Sequence, residues 1–106
     1  MKSRLPLFPS TAEVNERGHL VIGGCDTVEL AGEFGTPLYL FDEFSLRRRC
    51  REFREEFGQR YADTTVLYAC KAFINGALVL LFQEEGLGLD VVSEGELGIA
   101  HSVGFP

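Results

Sequence analysis

Residues 66–75 have the sequence VLYACKAFIN, and this stretch decides the fold expected of the 106-residue chain. The apolar run Val66–Cys70 is typical of a strand that is buried on both faces of a parallel sheet. After it, Asn75 can cap a helix that Gly86 ends, and a second strand follows at Leu87–Val92. The stretch therefore predicts a strand–helix–strand unit with parallel strands.

A similar pattern precedes this unit. Leu38–Phe41 is an earlier apolar run and predicts another strand buried on both faces. Asp42 or Ser45 can then cap a helix that Gly58 ends. The apolar positions of this helix recur every three or four residues, at Leu46, Cys50, Phe53 and Phe57. The earlier residues therefore add one strand and one helix to the predicted unit.

The order of the predicted elements indicates an α/β fold. A last helix over residues 94–101 begins after Ser93, so strands and helices alternate from residue 37 onward. Three short parallel strands leave a sheet edge and an inner face uncovered, and a closed (β/α)8 TIM barrel needs about 250 residues. We therefore expect residues 37–106 to form the first βα units of a barrel domain that is incomplete and truncated.

Residues 1–36 differ from the rest in composition. Glycine and proline recur there, and between them His19–Ile22 predicts a short strand or hairpin arm and Thr27–Phe34 predicts a helical turn. A segment of this kind buries little by itself. We therefore expect residues 1–36 to be an N-terminal arm that lies against another part of the protein.

Charge and cysteine content exclude several classes of function. Ten lysines and arginines against 16 acidic residues give a net charge of −6, so nucleic acid is not an expected partner. The basic run Arg47–Arg49 is followed by glutamates and is expected to be a solvated helix face. Three cysteines without CxxC spacing and two isolated histidines form no recognisable zinc site, so no metal is expected. Without a signal peptide or an apolar run of 18 residues, we expect a cytoplasmic protein with no membrane partner.

Lys71 is the first candidate for chemistry. It follows a buried parallel strand at the end where barrel enzymes place their reactive groups. Strand alternation predicts that Lys71 shares a face with Ala69 and Leu67, and the small side chain of Ala69 leaves room for a flat ligand. A desolvated lysine can react as a neutral amine and form a Schiff base. The alternative is a lysine that ends a strand and reaches solvent.

Two acidic residues follow on the next strand and helix. Asp90 interrupts an apolar strand and needs a partner, which is either a lysine on the adjacent strand or the amides of a loop. Glu96 lies three residues after Ser93, and this S-x-x-E spacing is that of a capping box, which explains both residues without catalysis. The spacing alone leaves a functional and a structural interpretation open for each acid.

The segments Tyr68–Ala72 and Gly86–Ser93 resemble the fold-type III pyridoxal-phosphate decarboxylases, a family that acts on ornithine, diaminopimelate and arginine. Lys71–Phe73 is similar to the lysine motif of that family, and its spacing to Asp90 also matches. The resemblance extends upstream to residues 18–42. It is strongest to the branch that acts on diaminopimelate.

The resemblance implies roles for four residues toward pyridoxal 5'-phosphate. Lys71 would be the catalytic lysine that holds the cofactor, and Ala69 would flank its ring. Asp90 would lie near the lysine and the ring substituents, and Glu96 would lie close to the point of attachment. This chain has Glu94 where the family usually has a glycine, so the start of that helix departs from the family pattern.

The resemblance also implies a reaction and partners. The reaction is decarboxylation of meso-diaminopimelate to L-lysine and carbon dioxide, the last step of lysine biosynthesis, by a homodimeric lyase. The phosphate loop, the residue that stacks on the ring and the partner of the pyridine nitrogen would all lie beyond Pro106. A C-terminal β-domain, against which residues 1–36 would pack, would lie there too. The 106 residues alone are therefore expected to be inactive.

Two alternatives remain at this point. One is a non-catalytic barrel protein that binds pyridoxal phosphate, and the other is a truncated gene product without function. The residues themselves do not distinguish diaminopimelate from ornithine, arginine or carboxynorspermidine as the small amino-acid substrate.

Overall fold

The structure is a computed structural model that describes residues 4–106, so the first three residues of the predicted arm lie outside it. The chain forms two units, one up to Leu46 and one over Arg47–Pro106. The first unit begins with a short 3-10 helix at Leu5–Leu7. Three strands and a helix follow: β1 (Glu13–Val14), β2 (Leu20–Ile22), β3 (Cys25–Asp26) and α1 (Thr27–Phe34). Helix α2 (Glu43–Arg60) begins in this unit. The second unit contains the rest of α2, strand β4 (Leu67–Ala69), helix α3 (Gly76–Glu84), strand β5 (Gly88–Asp90) and helix α4 (Glu94–Ser102).

Asp26 organises the first unit. The strands β1, β2 and β3 form an antiparallel sheet in that order, and Asp26 ends it as the N-cap of α1. Its Oδ1 accepts hydrogen bonds from the backbone amides of Val28 and Glu29. Its Oδ2 accepts hydrogen bonds from Asn15, Arg17 and His19. Burial acts to raise the pKa of Asp26, but these hydrogen bonds outweigh it and hold the pKa well below its usual value. The predicted hairpin arm and the helical turn at Thr27–Phe34 are confirmed.

The predicted strand at Leu38–Phe41 is wrong. The structure assigns no strand to these residues, and Tyr39 is 86% exposed. An apolar run becomes a strand only where its backbone groups pair with a neighbouring strand, and apolarity by itself does not provide that neighbour.

Helix α2 confirms one sequence prediction and corrects another. It begins at Glu43, and Asp42, not Ser45, precedes it as the cap, with Asp42 Oδ2 accepting a hydrogen bond from the amide of Ser45 at 3.3 Å. The helix continues through Gly58 to Arg60, so the predicted end at Gly58 is wrong. Gly58 does not have a positive φ, and a glycine ends a helix mainly when it adopts that conformation.

The strand–helix–strand unit of residues 66–90 is confirmed. β4 and β5 are parallel neighbours, and α3 connects them. Asn75 caps α3, since its side chain accepts a hydrogen bond from the amide of Leu78 at 2.9 Å. The buried apolar residues of this unit include Cys70, Leu78, Val79, Leu81, Phe82 and Leu87. The α/β class is therefore confirmed with a two-stranded parallel sheet, whereas the barrel and its incompleteness stay predictions.

A buried carboxylate joins α2 to the end of α3. Glu85 is 5% exposed, and Arg51 contacts both of its carboxylate oxygens at 2.9 Å. Arg47 adds a third contact at 3.1 Å, and Arg54 donates to the backbone carbonyl of Glu85 at 2.8 Å. Such bidentate, charge-assisted contacts fix the relative position of the two helices.

This arrangement corrects the interpretation of the basic run. Arg48 and Arg49 pair with Glu52 on the same helix, as a solvated face requires. Arg47, however, contacts Glu84 and Glu85 of another segment and is not part of that face. A sequence pattern cannot reveal a partner that lies almost 40 residues further along the chain.

Candidate cofactor site

β4 and β5 end side by side at the site predicted from the sequence. Leu67 is the register partner of Gly88, and Ala69 is the register partner of Asp90. Because successive strand residues alternate between faces, these four residues share one face of the sheet. A Cβ added to Gly88 would lie 2.5 Å from Cδ2 of Leu67, so glycine is the residue that fits there. Small residues therefore line this face at both strands.

Lys71 lies in a turn directly after β4. The strand ends at Ala69, and the amide of Ala72 donates to the carbonyl of Ala69 at 3.1 Å, which closes the turn around the lysine. The alternation of side chains between the two faces applies only within the strand and does not extend to Lys71. The prediction that Lys71 shares a face with Ala69 and Leu67 therefore loses its basis. Lys71 is also exposed, so residues 4–106 do not supply the desolvation that favours a neutral amine.

The backbone before Lys71 is bound to β5. The amide of Cys70 donates a hydrogen bond to the carbonyl of Asp90 at 3.0 Å. The Cys70 side chain is buried. Burial raises the pKa of the Cys70 thiol, and the charges of Glu96 and Asp90 raise it further.

Glu96 takes part in the predicted cap of α4, but only one of its two carboxylate oxygens has a hydrogen-bond partner there. Ser93 is the N-cap of α4; its Oγ accepts from the amide of Glu96 at 3.2 Å and donates to Glu96 Oε2 at 2.7 Å. The capping interaction is therefore confirmed. Glu96 Oε1 is buried, and residues 4–106 offer it no hydrogen-bond partner. A buried, unsatisfied carboxylate oxygen indicates a place for a further donor.

The four predicted site residues thus lie on connected segments at the carboxyl ends of β4 and β5. Ala69 and Asp90 are paired, and Lys71 follows Ala69 by two residues. Glu96 lies in the first turn of α4, the helix that follows β5. Their roles toward a cofactor stay predictions. Sequence reasoning missed the hydroxyl of Tyr68, which donates to the carbonyl of Phe73 at 2.6 Å. The only sequence signal for it is a phenol in an otherwise apolar strand.

The described residues contain neither a metal-binding cluster nor a membrane-spanning helix. Among residues 4–106, no group of three or more histidine, cysteine, aspartate or glutamate side chains is placed to hold a metal ion. Within the same residues, no helix is both long and apolar enough to cross a membrane.

Comparison with known proteins identifies a family. The profile of the family described as pyridoxal-dependent decarboxylase, pyridoxal binding domain, matches residues 43–106. The match includes β4, α3, β5 and α4 and therefore all four predicted site residues.

Individual relatives agree with this match. A diaminopimelate decarboxylase of Bacillus methanolicus is 52% identical over 99 residues, which are 93% of this chain and 23% of that protein. A diaminopimelate decarboxylase of Methanothermobacter thermautotrophicus is 48% identical over the same shares of both chains. A protein of Aquifex aeolicus with a known crystal structure is 38% identical, with a TM-score of 0.72 over 91% of this chain and 23% of that one. The chain thus spans about 23% of the length of these relatives.

Proposed function

This chain belongs to the pyridoxal-dependent decarboxylase family, and from that premise we propose that it is the cofactor-attaching, N-terminal part of an amino-acid carboxy-lyase. One observation supports this most directly. Lys71 lies two residues after the end of β4, where the small Ala69 is the register partner of Asp90. A primary amine is the group that forms a Schiff base with an aldehyde cofactor, and a small neighbouring residue leaves space for a flat ring.

The residues present fit pyridoxal phosphate at its attachment end. Lys71 would hold the cofactor through Nζ, and Ala69 would leave space beside its ring. Asp90 and Glu96 would contribute negative charge, and the unsatisfied Oε1 of Glu96 offers an acceptor for a polar group of a ligand. When bound, pyridoxal phosphate supplies a ring that accepts the electron pair released as a substrate carboxylate leaves as carbon dioxide. The work of Lys71, Asp90 and Glu96 is to hold this group and to set the charge around it.

The proposed substrate is meso-diaminopimelate, with L-lysine and carbon dioxide as products, which would make the protein an enzyme of lysine biosynthesis. The names of the relatives support this choice over ornithine, arginine and carboxynorspermidine. We further propose that the complete protein is a cytoplasmic homodimer with a TIM barrel, of which residues 37–106 form the first units and residues 1–36 an arm. The 106 residues alone are proposed to be inactive, since other parts of a barrel would have to bind the cofactor phosphate.

Chemical trapping tests the attachment site directly, and Lys2 and Lys71 are the only lysines among these 106 residues. The protein that contains this chain is incubated with pyridoxal phosphate, reduced with borohydride, digested and mapped by mass spectrometry. We expect the pyridoxyl group on Lys71, retained in Lys2→Arg and lost in Lys71→Arg. Label on a different lysine in the unsubstituted protein would contradict the proposal.

Substrate choice is tested separately by measuring carbon dioxide release from diaminopimelate, ornithine, arginine and carboxynorspermidine. Turnover of diaminopimelate with loss in Lys71→Arg is the expected result. Cofactor trapping on Lys71 without turnover of any of the four would instead support a non-catalytic protein that binds pyridoxal phosphate.

A further inference from the structure

The segment that bears Lys71 has no regular secondary structure. Residues 70–75 lie between the end of β4 at Ala69 and the start of α3 at Gly76. A reactive side chain on such a segment needs other contacts to fix its backbone, because a displacement of about 1 Å can strongly reduce a reaction rate. The contacts that hold this segment are therefore of functional interest.

Tyr68 is itself held firmly. Its ring stacks on Phe82, with centroids 4.1 Å apart and an angle of 28° between the planes. Phe82 is 3% exposed and belongs to the core around α3. The ring of Tyr68 is thus anchored to the buried part of the unit, and its hydroxyl is presented from a fixed position.

The hydroxyl of Tyr68 reaches across the Lys71 segment. It donates to the carbonyl of Phe73 at 2.6 Å, so a single hydrogen bond closes a loop in which Lys71 is an interior residue. Burial, with a smaller contribution from Cys70, raises the pKa of the Tyr68 phenol, which keeps the hydroxyl protonated and able to donate at neutral pH.

Other contacts hold the two ends of the segment. At the later end, Asn75 caps α3 and accepts a hydrogen bond from the amide of Leu78. The amide of Cys70 donates to Asp90, and the amide of Ala72 donates to Ala69. The hydrogen bond from Tyr68 links Phe73, in the middle of the segment, back to β4. Removal of that hydroxyl therefore takes away one restraint on the backbone between Lys71 and Asn75, while the turn around Lys71, the cap of α3 and the aromatic stack remain.

We propose that Tyr68 is a positioning residue, which orients Lys71 for attachment of the cofactor by holding the carbonyl of Phe73. This inference rests on the proposed function, because it assigns Tyr68 a purpose toward the amine of Lys71. Tyr68 contacts neither the substrate nor the cofactor in this role. It acts through the backbone by restricting the conformations in which the amine is presented.

The test compares three variants of the protein that contains this chain, in its cofactor-free form. Tyr68→Phe removes only the hydroxyl, and Tyr68→Leu removes the aromatic stack as well. Tyr61→Phe is the matched control, since it makes the same change at a tyrosine that is 69% exposed. Each is measured for its thermal midpoint, for amide hydrogen exchange over residues 70–75, and for the rate of reaction with pyridoxal phosphate.

In that reaction the amine of Lys71 condenses with the aldehyde carbon and releases one water, and borohydride then reduces the new C=N bond for quantitation. For Tyr68→Phe we expect exchange that is about threefold to tenfold faster within residues 70–75, and condensation that is slower by a similar factor. The thermal midpoint should remain close to that of the unsubstituted protein. Tyr68→Leu should also lower the midpoint, and Tyr61→Phe should change neither rate.

Two outcomes would overturn the proposal. Unchanged exchange in Tyr68→Phe would show that the hydroxyl does not hold the segment. Faster exchange with an unchanged condensation rate would show that holding the segment does not orient the amine. Failure of the unsubstituted protein to form the adduct at Lys71 is a different result, which would refute the proposed function while hydrogen exchange still reports on the hydroxyl.

Discussion

Ala69 and Asp90 face each other as register partners at the ends of two parallel strands, β4 and β5. This pairing brings a methyl group and a carboxylate to the same face of the sheet, beside the turn that contains Lys71. Parallel strands joined by a helix end at the same edge, so residues that are 21 positions apart in sequence become neighbours. In the proposed site, the pairing would place the charge of Asp90 beside a cofactor attached to Lys71.

Replacement of Asp90 by asparagine tests whether that charge matters. In the proposed decarboxylase we expect Asp90→Asn to lower kcat/KM by about tenfold, in the range of a modest electrostatic contribution. Loss of a negative charge disfavours positively charged, protonated forms nearby, so the pH midpoint of the bound cofactor's absorbance should move to lower pH.

The control for this experiment is Asp63→Asn, which makes the same change at an exposed aspartate in the loop before β4. It should alter neither kcat/KM nor the absorbance titration. If Asp90→Asn also retained full activity and an unchanged titration, Asp90 would have only a structural role.

The parts of this fold that follow from the sequence are those set by local patterns. Asn75 and Ser93 precede α3 and α4, and both accept the backbone hydrogen bonds that a cap requires. The apolar runs around β4 and β5 also correspond to strands, although each strand is shorter than its run. Caps and strand runs depend on residues within a few positions of one another, so the sequence contains the information directly.

The parts that the sequence did not predict depend on distant partners or on backbone conformation. Leu38–Phe41 has the composition of a strand, but composition cannot supply a neighbouring strand. The contacts of Glu85 with Arg47 and Arg51 join residues more than 30 positions apart. In the site, the hydroxyl of Tyr68 bonds to a backbone carbonyl, and any residue type could provide that carbonyl.

The buried Glu85 predicts a specific pH dependence of stability. Hydrogen bonds from Arg51 and Arg47 lower the pKa of Glu85 in the folded state, although burial opposes them. The resulting stabilisation is fully present above the ordinary glutamate pKa of about 4.3 and is lost as the pH falls through the lower, folded-state pKa. Glu85→Gln should therefore lower the thermal midpoint at pH 7, and the difference from the unsubstituted protein should shrink toward pH 3.

An exposed ion pair provides the comparison for Glu85. Glu56 pairs with Arg60 on the surface of α2, so Glu56→Gln should change the midpoint little at any pH. A difference between Glu85→Gln and the unsubstituted protein that stayed constant from pH 7 to pH 3 would argue against the ionised contact.

The three cysteines should differ in reactivity. Cys25 is exposed, whereas Cys50 and Cys70 are buried, and burial raises the pKa of both buried thiols. Since the thiolate is the reactive form, we expect iodoacetamide at pH 7.5 to modify Cys25 first and the other two about tenfold more slowly or less. Peptide mapping over time measures each rate.

Neutralising one carboxylate distinguishes the two buried thiols. The carboxylate of Glu96 acts on Cys70, and that of Glu85 acts on Cys50. Glu96→Gln should therefore speed alkylation of Cys70 relative to Cys50. Equal acceleration at both sites would indicate a general loosening of the fold and not a local electrostatic effect.

Two glycine-to-alanine substitutions should have opposite effects on stability because only one of the glycines needs a left-handed conformation. Gly86 has φ +78°, and an added Cβ would lie 3.2 Å from Cζ of Arg54, so Gly86→Ala should destabilise by about 1–2 kcal/mol. Gly58 is inside α2 with open space at its Cβ position, so Gly58→Ala should stabilise by about 0.5–1 kcal/mol. Denaturant unfolding measures both changes. Destabilisation by Gly58→Ala would contradict the expectation that a methyl group is accommodated at this position of α2.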